Sequence, residues 1–133
     1  MNKNVASFII FLFLIGMPSV IFGQSALDKS KVRGEKIFLQ HCVTCHMVTG
    51  EGITGAFPPL AKSDYLMADK MRAAEIIING LNGELKVNNV TYYGTMMAIK
   101  LSDNEIADVL NYVRNSWGNS GEIVLPEEVL EVR

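Results

Sequence analysis

Hydrophobic positions fall into distinct patterns along this chain, and each pattern predicts a different kind of element. The stretch from Val5 to Phe22 carries no charge at all. From about Ser30 to His41 the pattern predicts a helix, with Gly34 and Phe38 one turn apart on one face. Gly50, Gly52, Gly55, Pro58 and Pro59 then break any regular element, so 47–59 reads as an extended loop. A second helix is expected from about Asp69 to Asn79, with Ala73, Ile76 and Ile77 inward and Gly80 as its stop. Leu85 and Val87 precede Asn88-Asn89, and Val90 and Tyr92 follow. Asparagine tolerates left-handed backbone angles, so this pair predicts a short hairpin.

The clearest helix is the last. Ser102 and Glu105 have the spacing of a capping box, and Ile106, Val109, Leu110, Val113 and Trp117 repeat at helical spacing before Gly118. Beyond Asn119, Glu122, Glu127, Glu128 and Glu131 with Pro126 predict a loose acidic extension. The expected organisation is thus 1–23 a signal segment, 24–29 a leader, 30–118 one domain and 119–133 an acidic tail.

Composition changes the picture mainly at the N-terminus. The uncharged run behind Lys3 reads as the apolar core of a secretory signal, with Gly23 a small residue for cleavage before Gln24. An uncleaved anchor is the rival, because the run approaches the roughly 20 residues of a bilayer span. Pro18, Ser19 and the turn to polar sequence at Gln24 favour cleavage. Either way the remainder is expected on the far side of the membrane. The chain has 133 residues and net charge −2, and loss of Lys3 would leave 11 Lys and Arg against 14 Asp and Glu. No basic patch for nucleic acid is suggested.

Chemistry concentrates at Cys42-Val43-Thr44-Cys45-His46, which holds both of the cysteines and one of the two histidines. On a helical turn, cysteines at i and i+3 project from one side, and a histidine at i+4 follows on that side. Two thiols and one imidazole can therefore engage a single macrocycle: the thiols add to two vinyl groups and the imidazole reaches the iron. A zinc site needs about four ligands, and the only further histidine, His41, abuts Cys42. A thioredoxin-like dithiol should open a helix after a strand, whereas these cysteines close a helix. A plain disulfide is compatible with export but leaves His46 unexplained.

A second iron ligand can come only from a thioether, since His41 sits beside the attachment site. Met67, Met71, Met96 and Met97 are the candidates. The first two stand at the entry to the second helix, where methionine usually fills core gaps. Met96 and Met97 lie just before the capped final helix, where a side chain can be aimed inward.

The run Gly34-Glu35-Lys36-Ile37-Phe38-Leu39-Gln40-His41-Cys42-Val43-Thr44-Cys45-His46 resembles the opening of class I, mitochondrial-type cytochromes c, and the similarity extends from about Val32 to Trp117. Tyr92-Tyr93-Gly94-Thr95-Met96-Met97 with Leu101-Ser102-Asp103 is similar to bacterial members, including domains joined to oxidases and copper nitrite reductases. The resemblance implies an all-α class I cytochrome c fold, with three or more helices around one covalently attached haem c and its iron. It implies that Gly34 and Phe38 pack against Val109 and Tyr112. It puts His46 and Met96 on the iron, with Met97 standing where the family commonly has proline. Pro58 would supply the carbonyl that fixes His46, and Leu60 would lie against the macrocycle. The expected function is outer-sphere electron transfer between respiratory partners such as an oxidase, reductase or dehydrogenase, in the periplasm or on the extracytoplasmic face. The alternatives are a haem subunit of such a complex, with Ile123-Val124-Leu125 as a docking segment, and a five-coordinate ligand-binding haem protein. No catalytic base or nucleophile is evident.

Overall fold

The computed structural model describes residues 19–133, so most of the expected signal segment, 1–18, lies outside the described residues. Six helices and one two-stranded sheet follow in the order α1 (Ser19–His41), α2 (Val43–His46), α3 (Asp64–Ala68), α4 (Lys70–Asn79), β1 (Leu81–Val87), β2 (Val90–Met96), α5 (Asp103–Val113) and α6 (Pro126–Glu131). The mostly helical architecture with a single hairpin is the expected one. Among the described residues no helix is long and apolar enough to cross a membrane.

The core forms where α1 crosses α5. A Cβ on Gly34 would overlap the carbonyl oxygen of Asp108 and come within 2.9 Å of the Cβ of Tyr112, so glycine is what lets the two backbones touch. One turn on, Phe38 is fully buried, worth roughly 1.5–3 kcal/mol. Its ring centroid lies 5.5 Å from that of Tyr112 and 5.1 Å from that of Trp117, and the latter two rings meet edge-on at 5.4 Å. Ile106, Val109, Leu110 and Val113 complete the buried face of α5. Its capping box is formed: the Ser102 N–H donates to Glu105 Oε2 at 2.8 Å, and the Glu105 N–H to Ser102 Oγ at 3.4 Å.

The crossing also carries a polar cluster. Asp108 accepts from Ser30 Oγ and from both Nε and Nη2 of Arg33, each at 2.6 Å. Asn111 donates to Ser30 Oγ at 2.8 Å. Every buried polar group here finds a partner, as burial requires.

Three expectations change. The first helix begins well before Ser30: Gln24–Lys29, expected as a leader, is helical and holds neither glycine nor proline to interrupt it. Trp117 is not on α5, which ends at Val113; it sits in the turn beyond with φ 53°. The acidic tail is not loose, because Val124 and Val129 are buried. Asn111 clasps the main chain of Val124 from both sides, accepting its N–H at 2.7 Å and donating to its carbonyl at 2.9 Å. Pro126 opens α6, the Leu125 N–H is capped by Glu128, and Lys70 pairs with Glu128 at 2.6 Å. Apolar anchoring plus this clasp outweighs the acidic composition that had suggested a solvated extension.

The second helix and the hairpin form as expected. Asp69 caps α4 by accepting from Met71 and Arg72 N–H, and Gly80 ends it at φ 79°. Asn88 and Asn89 both have positive φ, 49° and 64°, as a two-residue hairpin turn requires. The antiparallel strands are longer than the sequence suggested, pairing Leu81 with Met96 through to Val87 with Val90.

Candidate functional site

The hairpin is two-faced. Leu81, Leu85 and Val87 of β1 and Tyr92 and Met96 of β2 line a cavity, whereas Asn82, Glu84, Lys86, Thr91 and Tyr93 do not; Thr95, beside Met96 at the strand end, is the exception and also reaches the wall. Strand alternation produces this division, since side chains point to opposite faces at every second residue. The cavity encloses about 350 Å³, and α2 contributes Cys42, Cys45 and His46 to its wall. Phe57, Pro58, Pro59 and Leu60 come from the loop, Ile76 and Ile77 from α4, and Val109, Leu110 and Val113 from α5.

The local fold of 42–60 explains how this happens. Cys42 closes the first turn of α2 by accepting from both Cys45 and His46 N–H, at 3.2 and 3.0 Å. The chain then doubles back through Gly52 N–H to the His46 carbonyl (3.1 Å) and Leu60 N–H to the Gly50 carbonyl (2.8 Å). Gly52 has φ 63°, and a Cβ there would come within 2.8 Å of the Pro58 oxygen. That oxygen lies 3.1 Å from His46 Nδ1. The nitrogen nearest the carbonyl must be the protonated one, so Nε2 is left with a free lone pair.

Cys42 and Cys45 are free thiols, both partly buried. Burial, with a smaller contribution from Cys45, pushes the Cys42 thiol up to about 11. Burial also holds the His46 imidazole below its ordinary value, partly offset by the Pro58 carbonyl. Both groups are therefore neutral near pH 7, and a neutral imidazole is the form that binds a metal.

All six residues singled out in the sequence, Cys42, Cys45, His46, Pro58, Leu60 and Met96, line this one cavity. Met97 lines the cavity as well, but Met96 is packed against the core from the end of β2, whereas Met97 is 76% exposed. Met67 and Met71 pack on the core and do not line the cavity. Among the described residues no group of three His, Cys, Asp or Glu side chains converges on a metal-sized site, which leaves the zinc alternative without a ligand set. The donor set present, two thiols and one imidazole at an apolar cavity, fits covalently attached haem.

Sequence reasoning missed Ile76 as a wall residue rather than a core one, and it missed Leu81, Tyr65 and Arg72. The alternation Leu81, Leu85, Val87 was there to be read. For Arg72 no sequence signal existed.

The cytochrome c family model matches residues 32–117, from the middle of α1 to Trp117. The chain belongs to the cytochrome c family. Cytochrome c-552 of Thermus thermophilus is 36% identical over 112 residues, covering 80% of this chain and 74% of that one. The cytochrome c subunit of the quinone-type alcohol dehydrogenase of Gluconobacter oxydans is 34% identical over 90 residues, 65% of this chain but 19% of that subunit. The gluconate 2-dehydrogenase cytochrome c subunit of Pantoea cypripedii is 28% identical over 106 residues, 24% of its length. As a family member this cytochrome c carries one haem c with its iron and transfers electrons.

Proposed function

We propose that this cytochrome c is an exported, non-enzymatic carrier that holds its haem through Cys42 and Cys45, with His46 Nε2 and Met96 Sδ as iron ligands. The observation that carries this reading is the 3.1 Å pairing of His46 Nδ1 with the Pro58 carbonyl, which turns Nε2 toward metal binding on the wall of the cavity that Met96 also lines. When bound, haem c supplies a one-electron ferric/ferrous couple.

The chain's own residues set the terms of that couple. The soft thioether of Met96 favours ferrous iron and raises the potential relative to a second imidazole. Pro58 fixes the tautomer and orientation of His46. Leu60, Ile76, Leu85 and Val109 keep the cavity wall apolar and exclude water. His46 and Met96 would together hold the iron, and no position would then be left for a substrate.

Export places the domain in the periplasm or on the extracytoplasmic face, among respiratory redox partners that include an oxidase, reductase or dehydrogenase. Likeness to dehydrogenase cytochrome c subunits supports a dehydrogenase as electron donor. A docking role for 123–125 is not supported, because Val124 is 1% exposed and clasped by Asn111. Maturation in a host with cytochrome c assembly machinery, followed by acid-acetone extraction and a pyridine haemochrome spectrum, tests attachment. Retained colour is expected, and colour lost to the solvent would sink the reading. Rapid carbon monoxide binding by the reduced protein would instead favour a five-coordinate haem.

A further inference from the structure

Trp117 and Asn119 stand outside the cavity wall, yet both bear on the loop that carries Pro58. That loop is closed mostly on itself. The Gly50 carbonyl accepts from the Leu60 and Ala61 N–H groups at 2.8 and 2.9 Å, and Ile53 and Phe57 pair their main chains. Among the described residues, one hydrogen bond alone joins 47–62 to a later part of the chain. In it Asn119 Nδ2 donates to the Leu60 carbonyl at 2.8 Å, two residues beyond the carbonyl that faces His46.

The same amide donates to the Val113 carbonyl at 2.7 Å, so Asn119 ties the loop to the C-terminal end of α5. The two carbonyls require a donor and fix which way the amide faces. Its Oδ1 is left buried, with no partner among the described residues, an arrangement that costs free energy.

Trp117 bears on the loop at Gly50. Its backbone has φ 53°, a left-handed conformation that is uncommon for a bulky residue. The turn is held in that form by Ser116 Oγ, which donates to the Tyr112 carbonyl at 2.6 Å, and by the Asn119 N–H, which donates to the Ser116 carbonyl at 2.9 Å. The indole is thereby laid on Gly50, where a Cβ would come within 2.4 Å of Cε3, and beside Phe38, whose ring centroid is 5.1 Å away. Backbone strain kept in place by its surroundings is a pointer to function. Here it seats the indole on the residue whose carbonyl closes the loop.

We propose that Asn119 and Trp117 are positioning residues for electron transfer: they hold the Pro58 carbonyl against His46 Nδ1 and so set the reduction potential. This rests on the reading of His46 as an iron ligand. Neither residue lines the cavity; both act through Pro58 and His46. The cytochrome c family model ends at Trp117, so Asn119 stands beyond the matched residues.

The sign follows from the hydrogen bond. Donation of the Nδ1 proton to a carbonyl makes the imidazole more basic toward the iron, which favours the ferric state. Loosening the loop weakens that hydrogen bond and raises the potential. Water admitted to an opened cavity would act the other way, because it solvates the more highly charged ferric haem better.

The test compares haem-loaded wild type, Asn119→Ala, Trp117→Phe and Asn111→Ala by reduction potential and by proton NMR of the His46 Nδ1–H in the reduced protein. Asn119→Ala should raise the potential and speed exchange of that proton roughly tenfold, the order expected for a lost hydrogen bond. Trp117→Phe, which keeps an aromatic ring but covers less of Gly50, should shift both in the same direction and less far. Asn111→Ala removes the clasp on Val124 without touching the loop and should leave both unchanged, which separates positioning from loss of stability. If Asn119→Ala leaves the potential and the exchange rate at wild-type values, or lowers the potential, the proposal is overturned. It is overturned equally if Asn111→Ala moves both as far. Should Asn119→Ala not retain haem, Trp117→Phe decides by the same two readouts. A wild type without covalent haem in a pyridine haemochrome assay, or without a ligated His46 in its NMR spectrum, would overturn the reading of the site itself and the proposal with it.

Discussion

Gly34 lies directly on the backbone of Asp108, with no room between them for a single carbon. The contact is main chain to main chain, so neither partner can swing aside. Gly34→Ala should therefore force α1 and α5 apart, at a cost of about 1–3 kcal/mol or more. Thermal unfolding of the haem-loaded protein would read this as a clear drop in Tm. An unchanged Tm would mean that the helices cross elsewhere.

Met96 and Met97 make a sharper comparison. Met96→Ala should abolish the far-red absorption of ferric methionine-ligated haem, lower the potential and admit carbon monoxide to the reduced protein. Met97→Ala should leave all three readouts close to wild type, in keeping with its exposure. If the far-red band survives in the first variant and vanishes in the second, the ligand is Met97.

Asn111 holds the tail by two main-chain hydrogen bonds to Val124 and also donates to Ser30. Asn111→Ala strips partners from three buried polar atoms and should cost roughly 2–3 kcal/mol. Limited proteolysis is expected to find new cleavage around 120–126 in the variant before any loss of haem absorbance.

Acid stability should depend on the helix caps. Asp69 is held below the ordinary carboxylate range first by the Arg72 N–H and then by that of Met71, and Glu105 similarly by Ser102. A carboxylate whose folded pKa is depressed stabilises the fold above its unfolded value, about 4, and loses that contribution as pH falls through the lower folded value. The Tm difference between wild type and Asp69→Asn should accordingly be constant near neutrality and shrink below about pH 4. A difference that does not vary with pH would mean that the cap does not titrate as described.

How much of this was legible in the sequence varied with the range of the interactions involved. The capping box at Ser102, the stop at Gly80 and the turn at Asn88-Asn89 are written in adjacent residues, and each formed where expected. The Cys42, Cys45 and His46 constellation is equally local. What escaped was long-range. Val124 and Val129 are five apart and fit no helical stripe; only the partner surface, with Asn111 waiting on α5, makes them core. Ile76 looked like core because periodicity reports an inward direction and does not distinguish packed interior from cavity wall.

The hairpin joins two distant parts of the molecule. At its tip Asn88 exchanges hydrogen bonds with Asp64, accepting from the Asp64 N–H at 3.0 Å and donating its own N–H to the carboxylate at 2.8 Å. At its other end stands Met96, the proposed ligand. The sulfur is thus carried on a latch: a two-stranded flap, fastened near the tip by this exposed clasp and by the buried Val87 and Tyr92, which would hold the ligand at the iron. Such a flap is the kind of small unit that opens on its own while the α1–α5 crossing stays intact. The first event on the way to unfolding would then be a colour change rather than a loss of helix, and the iron would act as the molecule's own indicator of whether the latch is shut.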